Sequence, residues 1–223
     1  MTSFVIKIIA CFTMLLDHIK YAIPFTDNWV TICLGRVSFP LFAFLISEGY
    51  EHTKDLKKYY KRLFVFGVIS QIPFMLFRTL VGEWIMLNIM FTLLLGLVCI
   101  TIWEKEKRIW ISVPAIIGII ILSEILNVDY GWFGVLSVIV MHLFKNKKIV
   151  LVLMYSLIIF VFYYSLIQAQ IFTMNGIIYI IGTILSLIFI LMYNGKEGKK
   201  LKDFFYWFYP VHSLIVYLLS FIF

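Results

Sequence analysis

Lys54-Asp-Leu-Lys-Lys-Tyr-Tyr-Lys-Arg62 packs five cations between two stretches that are almost wholly apolar. Three similar segments follow, at Lys105 to Arg108, Lys145 to Lys148 and Lys196 to Lys202. The four together hold 15 of the 19 Lys and Arg residues. The turns between them, Thr26–Asn28, Gly82–Glu83, Asn127–Asp129 and Gln168–Gln170, carry almost no positive charge. Cationic loops stay on the cytoplasmic side when a helical membrane protein inserts, so the alternation predicts a multi-span topology.

Composition agrees. The chain is 63% hydrophobic and 14% charged, where soluble domains use roughly 45–50% apolar and about 25% charged residues. The net charge of +7 would suggest nucleic acid in a soluble protein, but here the cations read as inner-loop anchors and no nucleic-acid partner is expected. Cys11, Cys33 and Cys99 all lie in apolar segments without close pairing, which excludes a zinc or redox motif and argues against a disulfide framework. No metal is expected. The first apolar stretch contains Asp17 and His18 and lacks a small-residue cleavage site, so it reads as a retained span.

Cutting at loops and turns gives nine apolar segments, at about 4–25, 29–50, 62–81, 84–103, 109–126, 130–144, 149–167, 171–193 and 203–223. Most approach the ~20 residues needed to cross a hydrocarbon layer. Lipid offers backbone groups no partner outside their own helix. The expectation is an all-α, polytopic transmembrane bundle of about nine spans, one domain over 1–223, with a cytoplasmic N-terminus and an outer C-terminus. The 130–144 segment is short enough to be tilted or re-entrant. Segments 149–167 and 171–193 carry no ionisable side chain except tyrosine and read as scaffold.

An ionisable residue at bilayer depth costs about 2.5–3.5 kcal/mol on insertion scales and needs a reason to be there. The candidates are Lys7, Asp17, His18, Lys20, Arg36, Glu48, Arg78, Glu124, Asp129 and His212. The topology puts Asp17, His18, Arg36, Arg78, Asn88, Glu124 and Asp129 in the outer half, His212 near mid-depth, and Glu48 and His52 at the inner end. Asp17 and His18 differ by about 100° around a helix and cannot project together. An Asp17–Arg36 or Asp17–Lys20 ion pair explains the acid structurally. It leaves His18 either satisfied by a neighbouring carbonyl or facing a cavity, where an imidazole is suited to moving protons.

Arg36 lies in Gly35-Arg-Val-Ser-Phe-Pro40. The proline frees a carbonyl near Arg36, which the guanidinium caps in one reading and leaves to grip a phosphate or developing oxyanion in the other. Ser70-Gln-Ile-Pro73 is expected to break the third span and line the same cavity, with Asn88. His212 follows Pro210 and is a candidate to line the site. His142, beside the Lys145 loop, reads as bland. So by itself does His52, although with Glu48 it borders the inner mouth. Asp129 reads as a cap for the turn at Tyr130-Gly131.

These residues bring the chain to a family. It resembles the TraX family, bacterial membrane proteins whose name-giving member N-acetylates conjugative F pilin. The resemblance is carried by Lys7 and Met-Leu-Leu-Asp-His at 14–18, Gly-Arg-Val-Ser-Phe-Pro-Leu-Phe-Ala-Phe at 35–44 and Ser-Glu-Gly-Tyr-Glu-His-Thr at 47–53. It continues through Tyr-Tyr-Lys-Arg-Leu at 59–63, Ser-Gln-Ile-Pro-Phe at 70–74, Asn-Ile-Met-Phe-Thr-Leu at 88–93, Asp-Tyr-Gly at 129–131 and Phe-Tyr-Pro-Val-His at 208–212. Ile19 and Lys20 follow Asp-His where the family often has glycine.

The resemblance implies a multi-pass protein of a bacterial cell membrane, an acetyl-CoA donor and an intramembrane histidine. It is similar at a distance to membrane acyltransferases such as the lysosomal heparan acetyltransferase. On that basis the chain is expected to move an acetyl or short acyl group to an amine or hydroxyl of a peptide or glycan outside the cytoplasm. Lys57, Lys58, Lys61 and Arg62 attract the CoA phosphates, with Glu48 and His52 at the mouth. His18 is the general base, and Asp17 stabilises its protonated form or pairs with Arg36. Arg36 stabilises the thioester oxygen or holds phosphate. His212 substitutes as base or carries the acyl group. A proton-coupled or small-solute transporter, or a non-catalytic subunit of a secretion apparatus, would also carry intramembrane Asp, His and Arg.

Overall fold

The computed structural model describes residues 1–82, 85–166 and 174–223. Ten α-helices form among them: α1 (Ser3–Ile19), α2 (Trp29–Gly35), α3 (Ser38–His52), α4 (Leu56–Thr79), α5 (Ile89–Lys105), α6 (Ile109–Ile125), α7 (Gly131–Phe144), α8 (Lys148–Leu166), α9 (Met174–Leu191) and α10 (Lys202–Leu219). An isolated Leu87–Val128 bridge is the one β pairing among the described residues. The fold is all-helical. The expected turn at Gln168–Gln170, and Glu83 of Gly82–Glu83, lie outside the described residues.

Among the described residues two helical stretches are long and apolar enough to cross a membrane, Trp29–His52 and Leu56–Thr79; Ile109–Ile125, Gly131–Phe144, Lys148–Tyr164 and Gly176–Leu191 are apolar but shorter. The expected 29–50 helix is broken between Arg36 and Val37. Pro40 has no N–H and its ring crowds the carbonyl four residues back, which is that of Arg36, so the ladder stops and restarts. The expectation of a break at Pro73 is corrected. α4 runs through it without interruption, starting at Leu56 rather than near 62 because Asp55 caps it there, accepting the Lys58 N–H at 3.0 Å. That bond holds the Asp55 carboxyl below its ordinary pKa.

All four lysine-rich segments gather at one end of the bundle. The Ser3 and Phe4 N–H groups donate to the Lys196 and Glu197 carbonyls, each at 2.9 Å. Lys145 pairs with Glu51, Lys148 Nζ donates to the Leu191 carbonyl, and the Met1 ammonium donates to that of Met192. At the opposite end the loop before α5 meets the loop before α7, through Leu87 N–H to the Asn127 carbonyl (2.9 Å) and Asp129 N–H to the Leu87 carbonyl (2.8 Å).

Short α7 is the centre of this arrangement. It packs on α3, α5, α6 and α8, and most of its length is buried. The periphery is apolar instead of polar: Phe64, Val68, Ile72 and Met75 form an exposed stripe along α4, and Leu153, Leu157, Phe160 and Val161 are exposed on α8. Small residues bring the backbones together inside. A Cβ on Gly182 of α9 would lie 2.2 Å from the Cys33 carbonyl oxygen, and one on Gly35 would lie 2.6 Å from Asp17 Oδ1.

Candidate active site

α1 delivers Asp17 and His18 near its end, and α10 brings His212 to meet them. His18 Nδ1 lies 2.7 Å from His212 Nε2, and His212 Nδ1 lies 2.8 Å from the Phe208 carbonyl. A carbonyl can only accept, so His212 carries its proton on Nδ1 and offers Nε2 as an acceptor. His18 Nδ1 is therefore the donor between the rings. In a neutral His18 the lone pair is left on Nε2. The two imidazoles are near-parallel at 4.9 Å, with Phe208 stacked on His212 and Phe77 tilted against His18 at 4.4 Å.

Asp17 does not contact His18 by a hydrogen bond. Its Oδ1 accepts from Lys20 Nζ at 3.0 Å and from Arg36 Nη2. Both structural pairings expected from sequence thus form together. Arg36 lies over the Tyr179 ring at 5.3 Å. Two cations on one carboxylate leave a net positive charge beside His18.

Two cavities meet end to end in the bundle. The larger, about 170 Å³, opens among Lys7, Glu48, His52, Tyr59, Arg62 and Tyr206 at the lysine-rich end. The smaller, about 60 Å³, is lined by Asp17, His18, Ser38, Asp129, Tyr130 and Tyr209. Phe42, Met90, Leu93 and Phe205 belong to both and form an apolar collar between them.

The expected site residues divide accordingly. His18 and Asp17 line the far chamber; Arg62, Glu48 and His52 line the lysine-side one. The buried Nε of Arg62 has no hydrogen-bond partner among the described residues, and its guanidinium lies over Tyr206 at 5.8 Å. Lys57, Lys58 and Lys61 are exposed on the outer side of α4, with Lys58 paired to Asp55 at 3.4 Å. Arg36 and His212 line neither cavity; each stands one side chain behind a residue that does. Ser70 is wholly buried and also away from both.

Gln71 and Asn88 fasten helices. Asn88 Nδ2 donates to the Gly67 carbonyl (2.7 Å) and Gln71 Oε1 (2.8 Å), its Oδ1 caps α5 by accepting the Met90 N–H, and Gln71 Nε2 donates to the Met86 carbonyl (2.8 Å). Their polar atoms are spoken for within the fold, and neither residue lines either of the two cavities.

The turn before α7 also differs from expectation. The carboxylate that takes a first-turn N–H is that of Glu124, which accepts from Trp132 at 2.5 Å. Asp129 faces the far chamber with Tyr130. Asp129 was counted among the ionisable residues at bilayer depth but read as a cap, and Tyr130 only as part of that turn. His142, read as bland, has a structural role. Its Nδ1 lies 3.0 Å from Ser47 Oγ and its Nε2 3.0 Å from Glu104 Oε1, joining α3, α7 and α5. Ser47 is completely buried and lines neither cavity, so this chain of bonds is read as a fastening between helices.

A family model described as TraX protein matches residues 3–220. The chain is 28% identical over 239 residues to the probable fimbrial assembly protein FimC, serogroup H1, of Dichelobacter nodosus, covering 96% of this chain and 94% of that protein. It is 27% identical over 139 residues to protein TraX of Escherichia coli, covering 62% of this chain and 54% of that one. No solved structure matches.

Proposed function

Because the chain belongs to the TraX family, we propose that it is a multi-pass membrane acyltransferase, passing an acetyl or short acyl group from acyl-CoA to an amine or hydroxyl beyond the cytoplasm. The observation that carries this reading is the paired cavity: a mouth where Lys7 and Arg62 stand with Glu48 and Glu197, an apolar collar, and a chamber lined by an imidazole whose Nε2 makes no hydrogen bond among the described residues.

The multi-pass topology is supported by the gathering of all the lysine-rich segments at one end and by the apolar stripes on α4 and α8. A short α7 is tolerable in that topology because its neighbours, not lipid, cover it.

The donor fits this geometry in parts. Lys7 and Arg62 lie at the lysine-side mouth, and Lys57, Lys58 and Lys61 raise the local potential outside it for the nucleotide phosphates. The mouth is too small for the nucleotide, which stays outside while the pantetheine arm runs through the collar toward His18. His18 Nε2 then takes a proton from the acceptor as its nucleophilic atom attacks the thioester carbon. The C–S bond breaks and the departing thiolate takes that proton back. His212 acts through His18, fixing its ring and tautomer. The net positive charge of Lys20, Asp17 and Arg36 has the sign a developing oxyanion needs. The acceptor is read as a pilus-subunit peptide, since one relative is a probable fimbrial assembly protein.

The internal pairing of Asp17, Gln71 and Asn88 favours a second reading, a non-catalytic subunit of a pilus apparatus. Titration calorimetry of the protein in nanodiscs with acetyl-CoA separates the two. Micromolar binding that disappears in an Arg62→Glu variant supports transfer. Absence of heat in both nanodiscs and detergent supports the subunit.

A further inference from the structure

Asp129 lies in the far chamber with His18, on a loop that is held unusually firmly. Asn127 and Tyr130 are in the left-handed region at φ 49 and 62, and Gly131 is at φ 47. Non-glycine residues there cost about 1–3 kcal/mol each and persist only where the surroundings over-determine them. Here they do. The Asp129 N–H donates to the Leu87 carbonyl at 2.8 Å, its own carbonyl accepts from Thr92 Oγ1 at 2.5 Å, and Asn127 Nδ2 reaches the Ile85 carbonyl. Tyr130 stacks on Phe39 at 4.2 Å, and Glu124 clasps the start of α7. The strained turn places Asp129 in the chamber's lining.

The chamber's other acid, Asp17, is already neutralised by Lys20 and Arg36. Burial pushes the Asp129 carboxyl up to about 6, and Arg78, Arg36 and the Tyr130 N–H offset part of that; among the described residues no basic side chain closes an ion pair with it. An ionised carboxylate in such a place calls for a cation with hydrogens to donate.

We propose that Asp129 is the specificity-determining residue of the acceptor subsite, receiving the acceptor as a primary ammonium and holding its nitrogen beside His18. This rests on the acyltransferase reading and deepens it, selecting a charged acceptor over a neutral hydroxyl. The bound ammonium gives one proton to His18 Nε2, and the neutral amine attacks the thioester carbon. The C–S bond breaks, the thiolate takes the proton from His18, and the second proton leaves the nascent amide through His18 to solvent. The products are an amide, a thiol and one released proton.

The probes are triglycine amide, with a free N-terminal amine, and glycolyl-diglycine amide, in which a hydroxyl replaces that amine. With acetyl-CoA and the whole protein in nanodiscs, wild type should favour the amine by about 10–100-fold in kcat/KM, the range of a hydrogen bond to a charged group. Asp129→Asn should erase that preference, mainly through KM for the amine, with acetyl-CoA binding unchanged by calorimetry. Asp129→Glu should restore part of it, which excludes simple misfolding. Equal use of both probes by wild type, or an unaltered preference in Asp129→Asn, overturns the assignment while leaving acyl transfer intact. Transfer to neither probe, without acetyl-CoA binding, overturns the acyltransferase reading itself.

Discussion

His18 and His212 are 194 residues apart in sequence and 2.7 Å apart in space, and the bond between them has a fixed direction. The Phe208 carbonyl sets it from outside the pair, because it obliges His212 to keep its proton on the far nitrogen. One helix thereby decides which nitrogen of a histidine on another carries the proton.

Removing the base should remove turnover. His18→Ala is expected to lower kcat by about 10²–10⁴-fold, the usual contribution of a general base, while the protein still inserts and still binds acetyl-CoA. Steady-state acetylation at normal rate in this variant would end the proposed role.

His212→Ala should act differently, because His212 touches no chamber. Misplacing a reacting group by about 1 Å can cost about 10²-fold, so kcat should fall by that order with little change in KM for acetyl-CoA. His212→Gln, which can still accept from His18 through its amide oxygen, should recover part of the loss. A rise in KM with kcat unchanged would instead make His212 a binding residue.

Breaking the Asp17–Arg36 pair should be felt in stability. Leaving one member of a buried pair uncompensated costs about 3–5 kcal/mol, so Asp17→Asn and Arg36→Met should each lower the midpoint of thermal unfolding in detergent. The double variant should be better than the sum of the two, since it removes the Arg36 charge together with its acid and leaves only Lys20 without a carboxylate. Additive losses would show that the two side chains are not coupled.

Two glycines should respond in opposite ways to alanine. At Gly182 the new methyl meets the Cys33 backbone oxygen at 2.2 Å, and overpacking of this sort costs about 1–3 kcal/mol. At Gly118 on α6 nothing lies within 4 Å, and alanine should stabilise the helix by up to about 1 kcal/mol. Thermal unfolding of the two variants measures both signs.

Cations at the mouth should matter by position. Arg62→Glu should weaken acetyl-CoA binding strongly, whereas Lys57→Ala should weaken it slightly and only at low salt, since that exposed charge is screened within about a Debye length. Calorimetry at two salt concentrations distinguishes them. Equal, salt-insensitive effects would mean that the phosphates sit elsewhere.

Helix positions and the clustering of the lysine-rich segments were legible in the sequence because both follow from charge spacing along the chain. The Asp17–Arg36 contact was legible too, as a buried acid needs a cation and Arg36 was at matching depth. The consequence of Pro40 was half legible: the freed carbonyl was foreseen, the separate α2 was not, since the point of restart depends on Ser38 bonding to the Ala10 carbonyl at 3.0 Å. Gln71 and Asn88 were mistaken for cavity residues because a polar side chain in an apolar segment signals only that it needs a partner. Whether that partner is a ligand or a neighbouring helix is a property of packing. Asp129 was hidden for the converse reason. Its turn resembles any helix start, and Glu124 supplies the cap from another helix.

The collar of Phe42, Met90, Leu93 and Phe205 also bears on the cell's energy supply. A hydrated ion cannot shed its water to pass four hydrocarbon walls, whereas a thin, uncharged thread can slip between them. Under the acyl-transfer proposal, cargo activated on one side is handed over on the other without discharging the voltage across the bilayer.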